Sequence, residues 1–300
     1  MAPASNHYPV PEDIYLQLPQ GRFCLRRWRG DGPLLLCLHG WQDNAASFAP
    51  LAGEGFNLLA LELAGHGHSC HRSPGQHYHL ADHLLDVLDV LDALQEKPAA
   101  VLAHSLGGAI ASFAAAARPE AIPALLLIEA LGPLASDPET ALKRLRDTAG
   151  ARAKRKAADS HRTVDLNRAI AARRKLGPDQ SALAGLLVER NLRGSPKGLR
   201  WRSDPRIREP SPWRVDADTI RALLGGIEQP TLIMVGKDSR LPIGAEQRLD
   251  WLGTQARLQR LPGDHHLHMS QPKETADAIR GFLETSLSAK TIGTHSQDGC

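Results

Sequence analysis

The chain has 300 residues, of which hydrophobic types make up 42% and charged types 23%, a balance that excludes a disordered polyelectrolyte and a fibrous repeat. Its longest strongly apolar runs, such as 34–38, fall far short of the roughly 20 residues needed for a membrane helix, so no membrane span is expected. The net charge is only +3, yet residues 137–214 hold 20 Lys and Arg against 9 Asp and Glu, an excess of eleven that leaves the remainder with eight surplus negative charges.

The N-terminal stretch MAPASNHYPVPED carries prolines where a signal peptide would have a basic start and an apolar core, which points to a cytoplasmic protein. Cys24, Cys37, Cys70 and Cys300 show no CxxC spacing and read as reduced thiols rather than a zinc knuckle or disulfide framework. A hairpin is predicted over 14–18 and 22–28, turning at Pro19, Gln20 and Gly21. Compact apolar runs follow at 34–39, 56–63, 99–104, 124–129 and 231–236, of the kind that makes parallel strands buried on both faces. Between them lie helical patterns. In 80–95, Leu80, Leu84, Val87, Leu88, Leu91 and Leu94 share a face and Asp82, Asp86 and Asp89 cover the other; 106–117 is rich in small residues and stops before Pro119. Strand and helix in alternation predict a parallel α/β sheet. The rhythm breaks over 135–226, where Arg-rich helical patterns predict an inserted cap. A further strand near 256–261, a closing helix over 273–287 and a disordered tail over 288–300 complete the reading, with the core split into 1–134 and 227–287.

The strongest chemical signal is Ala103-His104-Ser105-Leu106-Gly107-Gly108, placed after a buried strand and before a helix. A sharp strand-to-helix turn tolerates only small neighbours around its central residue, which is left exposed at a helix start. There the Leu106 amide and the helix N-terminus can stabilise negative charge on a substrate oxygen. His39-Gly40-Trp41, at the exit of an adjacent strand, makes the Trp41 N–H the second oxyanion donor, with the His39 ring packing rather than reacting.

Together, HGWQDNAASF, GHGHS at 65–69, AHSLGG and GDHHLHMSQP resemble an α/β-hydrolase fold enzyme, most closely the serine hydrolase-like branch, over about residues 34–287. The resemblance implies a mostly parallel sheet flanked by helices with an inserted helical cap, and a triad in the chain order Ser, acid, His. Ser105 is then the nucleophile. The acid follows the strand TLIMVG as Asp238, in a turn one residue shorter than the family's usual one, with Glu129 at the end of ALLLIE as the alternative. His265, seven residues before Pro272, is the base; His266 is the alternative, and His268 is a third imidazole in the same loop. A serine hydroxyl needs a neutral imidazole to take its proton and a carboxylate to hold that imidazole's tautomer.

Other features take blander readings. The HxH pairs His66/His68, His77/His79 and His266/His268 lack the fixed ligand sets and neighbouring carboxylates of zinc sites, so neither metal nor cofactor is expected. The Gly65–Ser69 loop is structural, beside Glu62 where relatives often carry Asp. The basic cap has no interleaved aromatics or reader motif, so no nucleic-acid partner is expected. Arg200, Arg202 or Arg206 could face the pocket and favour acidic substrates, with His104, Trp201 and Trp213 lining it. The leading function is a serine hydrolase acting on a small or medium acyl compound, a carboxylic ester first. Carbon–carbon bond hydrolysis of a diketone-like substrate and a noncatalytic ligand-binding role stand beside it, while dehalogenation would need a carboxylate in place of Ser105. Oligomeric state stays open.

Overall fold

The computed structural model describes residues 8–156, 163–177, 180–239, 244–252 and 256–293. In chain order the strands β1 (Glu12–Leu18), β2 (Gly21–Trp28) and β3 (Leu34–Leu38) precede the short helix α1 (Ala49–Ala52) and β4 (Asn57–Leu61). Then come α2 (Leu80–Ala93), β5 (Ala100–His104), α3 (Leu106–Ala117) and β6 (Leu125–Ile128). An inserted segment contributes α4 (Ala141–Lys156), α5 (Leu166–Arg174), α6 (Ser181–Arg190), a ribbon of β7 (Leu192–Arg193) and β8 (Arg200–Trp201), and α7 (Ala217–Leu224). The chain closes with β9 (Thr231–Gly236), α8 (Ala245–Leu249), β10 (Ala256–Leu261), α9 (Leu267–Ser270) and α10 (Pro272–Gly293).

One eight-stranded sheet runs in the order β1-β2-β4-β3-β5-β6-β9-β10. The β1/β2 and β2/β4 pairs are antiparallel and every other pair is parallel. This is the α/β-hydrolase fold. The central strands β3, β5, β6 and β9 are buried at every position, which is why their sequences are continuous apolar runs rather than alternating ones. Alternation survives in which side each residue faces: Leu36, Val101, Leu127 and Ile233 pack with Val87 of α2 and Ile110 of α3 on one face. Leu35, Leu102, Leu126 and Met234 pack with Leu51 of α1 and Ile279 of α10 on the other.

Three sequence expectations shift. Asp86 is not on a solvated helix face: it is buried on α2, where the Arg72 guanidinium meets it at 2.6 Å. The closing helix continues to Gly293, through residues expected to be a disordered tail; 294–300, with Cys300, lie outside the described residues. Helix α7, expected in the inserted cap, places Ile220 and Leu224 in the same core cluster as Ile110, so it packs with the sheet. Cys24, Cys37 and Cys70 are all free thiols, and among the described residues no helix is long and apolar enough to cross a membrane.

The inserted segment is held by buried charge as well as by apolar contact. Leu183 and Leu187 of α6 pack on Met269 of α9. At the end of α6, Arg190 grips Glu62 through Nε and Nη2, both at 3.0 Å, and Asp13 through Nη1 at 2.6 Å. Arg190 and Glu62 are buried and Asp13 is partly so, which makes this pairing specific in geometry, since neither Arg190 nor Glu62 can be left unmatched without a large desolvation cost.

Close backbone approach governs the join of β3, β5 and α3. A Cβ on Gly107 would lie 2.3 Å from the Leu38 carbonyl oxygen and 2.6 Å from its carbon, and one on Gly108 would lie 2.4 Å from the Ala130 Cβ. Since main chain cannot yield as a flexible side chain does, Gly107→Ala is expected to lower the unfolding free energy by at least about 2 kcal/mol, read from the urea midpoint at constant slope.

Candidate active site

Strand β5 runs straight into α3 through Ser105, whose φ of 51° and ψ of −113° lie in a region that L residues rarely occupy. The turn is held on both sides: the Ser105 N–H donates to the Ile128 carbonyl at 3.0 Å, and the Gly107 N–H donates to the His39 carbonyl at 3.1 Å. The strain therefore sits where neighbouring strands over-determine it, and the Ser105 hydroxyl projects from the start of a helix.

Ser105 Oγ and His265 Nε2 are 3.0 Å apart, and His265 Nδ1 lies 3.3 Å from Glu129 Oε2. Glu129 is fully enclosed, follows β6 with a φ of 54°, and accepts the Gly236 N–H on Oε1 at 2.6 Å and the Ser239 hydroxyl on Oε2. Burial works to raise the Glu129 carboxyl, but the hydrogen bonds from His265, Ser239 and Gly236 outweigh it and hold it below the usual carboxylate range. The group facing the imidazole is thus a charged acceptor.

Asp238, the first-choice acid from sequence, does not take this place. Its side chain is exposed, and its amide donates to the Gly263 carbonyl at 3.0 Å. The short turn after β9 carries Asp238 past the site, while Ser239, at the spacing of the family's acid, turns back onto Glu129. His266, the alternative base, is also elsewhere: it is buried, with Nε2 facing Asp43 Oδ2 at 3.4 Å.

Leu106 follows Ser105 directly, and the Gly107 N–H bond to the His39 carbonyl brings the His39-Gly40-Trp41 exit of β3 alongside the turn. Among the described residues no acceptor engages the main-chain N–H of Trp41 or of Leu106. The Trp41 turn is fixed from below, because the next residue, Gln42, has a φ of 61° and donates its N–H to His66 Nε2 at 3.3 Å. The Trp41 indole donates to the Ile207 carbonyl of the inserted segment at 2.7 Å. His39 packs as expected, its Nδ1 on the Gly40 carbonyl at 2.8 Å and its Nε2 accepting the Leu63 N–H at 3.1 Å, with burial lowering its pKa.

Several pocket candidates are engaged otherwise. Arg206 pairs with Asp204 at 2.6 Å and donates to the Ser73 and Gln76 carbonyls at 2.7 and 3.2 Å, so its charge does not face a pocket. Arg202 donates to the Leu192 carbonyl at 2.9 Å, and Arg200 and Trp201 are half-buried in the ribbon opposite Arg193 and Leu192. Trp213 is 76% exposed. The HxH pairs split as well. His66 is a satisfied core imidazole on the Ala64 carbonyl, and the His77 and His79 rings stack on each other while hydrogen-bonding separate partners, Arg152 and Ser211.

His104 is enclosed rather than lining an open pocket. Its ring lies 4.7 Å from that of His265, and its Nε2 meets the His265 carbonyl at 2.8 Å. Two residues that the sequence did not single out join it: Asp43, whose Oδ2 is 3.5 Å from His104 Nδ1, and Arg173 of α5, which pairs with Asp43 Oδ1. Asp43 stands in the HGWQDN motif, but nothing in the spacing ties it to a histidine 61 residues later; only the β3/β5 pairing brings them together.

Comparison with known proteins agrees with this architecture. The model of the Alpha/beta hydrolase family matches residues 35–278, and the chain belongs to that family, in its serine hydrolase-like branch. It is 28% identical to the serine hydrolase-like protein of Danio rerio, over 91% of this chain and 88% of that one. It is also 28% identical to the human serine hydrolase-like protein 2, over 91% and 94%. Among solved structures, the hypothetical protein PA1622 of Pseudomonas aeruginosa PAO1 superimposes with a TM-score of 0.81 at 32% identity, covering 91% of this chain and 99% of that one.

Burial lowers the pKa of His66 from 6.5 to about 3, with the His39 ring adding to the effect. The unfolded chain binds this proton more readily than the folded one, so His66 contributes stability in full above pH 6.5 and loses it as pH falls toward 3. Protonation would also strip the acceptor from the Gln42 N–H. Urea midpoints measured across that window should fall with pH, and His66→Gln should flatten the slope while lowering the plateau at neutral pH.

Proposed function

We propose that this chain is a serine hydrolase that cleaves a small or medium acyl compound, a carboxylic ester first, through a Ser105–His265–Glu129 triad. The observation that carries the reading is the 3.0 Å approach of Ser105 Oγ to His265 Nε2 with a buried carboxylate behind the ring. Ser105 gives its proton to His265 Nε2 as Oγ forms a bond to the acyl carbon. Glu129 accepts the Nδ1–H throughout, fixing the tautomer and stabilising the imidazolium that forms. Negative charge on the former carbonyl oxygen rests on the Trp41 and Leu106 N–H groups, helped by the N-terminus of α3.

Collapse of the tetrahedral species returns the proton from His265 to the leaving alcohol and leaves an acyl group on Ser105. Water then attacks with His265 as base, releasing the acid and restoring Ser105. Helices α4 to α6 act as the cap over this centre, with Leu183 and Leu187 seated on Met269 next to the histidine loop. Glu129 serves as acid because a side chain one methylene longer than Asp reaches the ring from the end of β6, the strand beside β5.

An alkyl fluorophosphonate should label wild-type protein on Ser105 and fail to label Ser105→Ala of unchanged circular dichroism. In aryl ester hydrolysis, Glu129→Gln should lower kcat by about 10³ to 10⁴-fold, whereas Asp238→Asn should stay within a few-fold of wild type. The reverse ranking of the two acid variants would overturn the assignment of Glu129, and an unlabelled Ser105 in folded protein would overturn the enzyme.

A further inference from the structure

One cluster of polar side chains has no part in the proposed reaction and is left electrostatically incomplete. Asp43, His104 and His266 are 2%, 1% and 3% exposed, and Asp43 Oδ2, His104 Nδ1 and His266 Nε2 all lie within 4.8 Å of one another. The tautomer of His104 follows from its contact on the other side. Its Nε2 faces the His265 carbonyl at 2.8 Å, an acceptor, so Nε2 carries the hydrogen and, in the neutral ring, Nδ1 carries a lone pair. That lone pair points at a carboxylate oxygen 3.5 Å away, and Nδ1 has no hydrogen-bond partner among the described residues. Two acceptors facing each other in a dry interior call for a cation between them.

The spacing suits a metal ion. An ion with tetrahedral bonds of about 2.0–2.1 Å to nitrogen and oxygen holds its ligand atoms about 3.3–3.4 Å apart. The separations from Asp43 Oδ2 are 3.5 Å to His104 Nδ1 and 3.4 Å to His266 Nε2. Two imidazoles and one carboxylate are a borderline donor set, which favours zinc-type divalent transition ions over magnesium or calcium. A third imidazole, His268, is buried against the cluster with its ring 4.5 Å from that of His104, and neither of its nitrogens has a partner among the described residues.

We propose that Asp43, His104 and His266 form a binding site for a divalent transition metal of the zinc type, one imidazole away from His265. Arg173 is its built-in competitor: the guanidinium holds Asp43 Oδ1 and lies 3.4 Å from His266 Nε2. Helix α5 buries none of its residues, so Arg173 is the partner that withdraws when an ion enters. Because His104 holds the His265 carbonyl, the occupied site clamps the loop that carries His265. This inference concerns metal ligation alone and does not rest on the hydrolase reading.

The test is a titration of metal-free, full-length protein with Co²⁺, followed by the visible d–d absorption of the bound ion. One equivalent should give the intense bands of a tetrahedral nitrogen–oxygen site, and Zn²⁺ should displace it. Asp43→Asn and His266→Gln should each weaken binding at least tenfold; Arg173→Met should bind at least as tightly as wild type, and the double variant H77Q/H79Q should match wild type. Absence of a tetrahedral spectrum in wild-type protein shown to be folded by circular dichroism overturns the proposal, as does a spectrum that survives Asp43→Asn. The wild-type titration decides this even if His266→Gln does not fold, and ester turnover is not part of the readout.

Discussion

The close approach of α3 to the ends of β3 and β5 is the constraint on which the candidate site depends. With no space for a Cβ at Gly107 or Gly108, the helix can begin immediately after β5, and the chain must turn within the single residue Ser105. That turn forces a positive φ on a non-glycine residue, and the surrounding main-chain hydrogen bonds hold it there. Presentation of one hydroxyl at a helix N-terminus is a consequence of the same packing. The parallel neighbours β6 and β9 then end at the same edge of the sheet, which is why Glu129 and the turn holding Ser239 arrive beside it.

Much of this was legible in the sequence. Fully buried strands advertise themselves as unbroken apolar runs, so β3, β5, β6 and β9 were found within a residue or two of their ends, and the elbow followed from small residues around Ser105. The acid was harder. Asp238 and Glu129 both follow apolar strands, and the choice turns on where a short turn after β9 points its side chains. A turn one residue short swings Asp238 out to solvent and leaves a serine at the expected spacing. The Asp43–His104–His266 grouping was invisible for a related reason: its members belong to three different strand exits, and local spacing, including every HxH pair, carries no information about register between strands.

The lopsided charge of the chain has a partial structural account. Arg190 and Arg173, both from the basic segment, reach acids of the sheet domain, namely Glu62, Asp13 and Asp43. Such buried pairs add little net stability compared with apolar packing, since desolvation offsets most of the attraction. Their effect is to select one docking orientation, because a segment rotated or shifted from this position would leave guanidinium and carboxylate groups buried without partners. On α4, Lys143, Arg146 and Lys154 are exposed, while Arg152 is half-buried with its guanidinium on His77 Nε2 at 2.8 Å.

Trp41 belongs to both halves of the molecule at once. Its main-chain N–H is an oxyanion donor in the proposed reaction, while its indole N–H is fastened to the Ile207 carbonyl in the inserted segment. A shift of the Pro205–Arg208 turn is therefore transmitted through a rigid bicyclic ring to the Trp41 peptide at the exit of β3. The aromatic side chain works as a short lever, making the alignment of that peptide sensitive to how the insertion is seated.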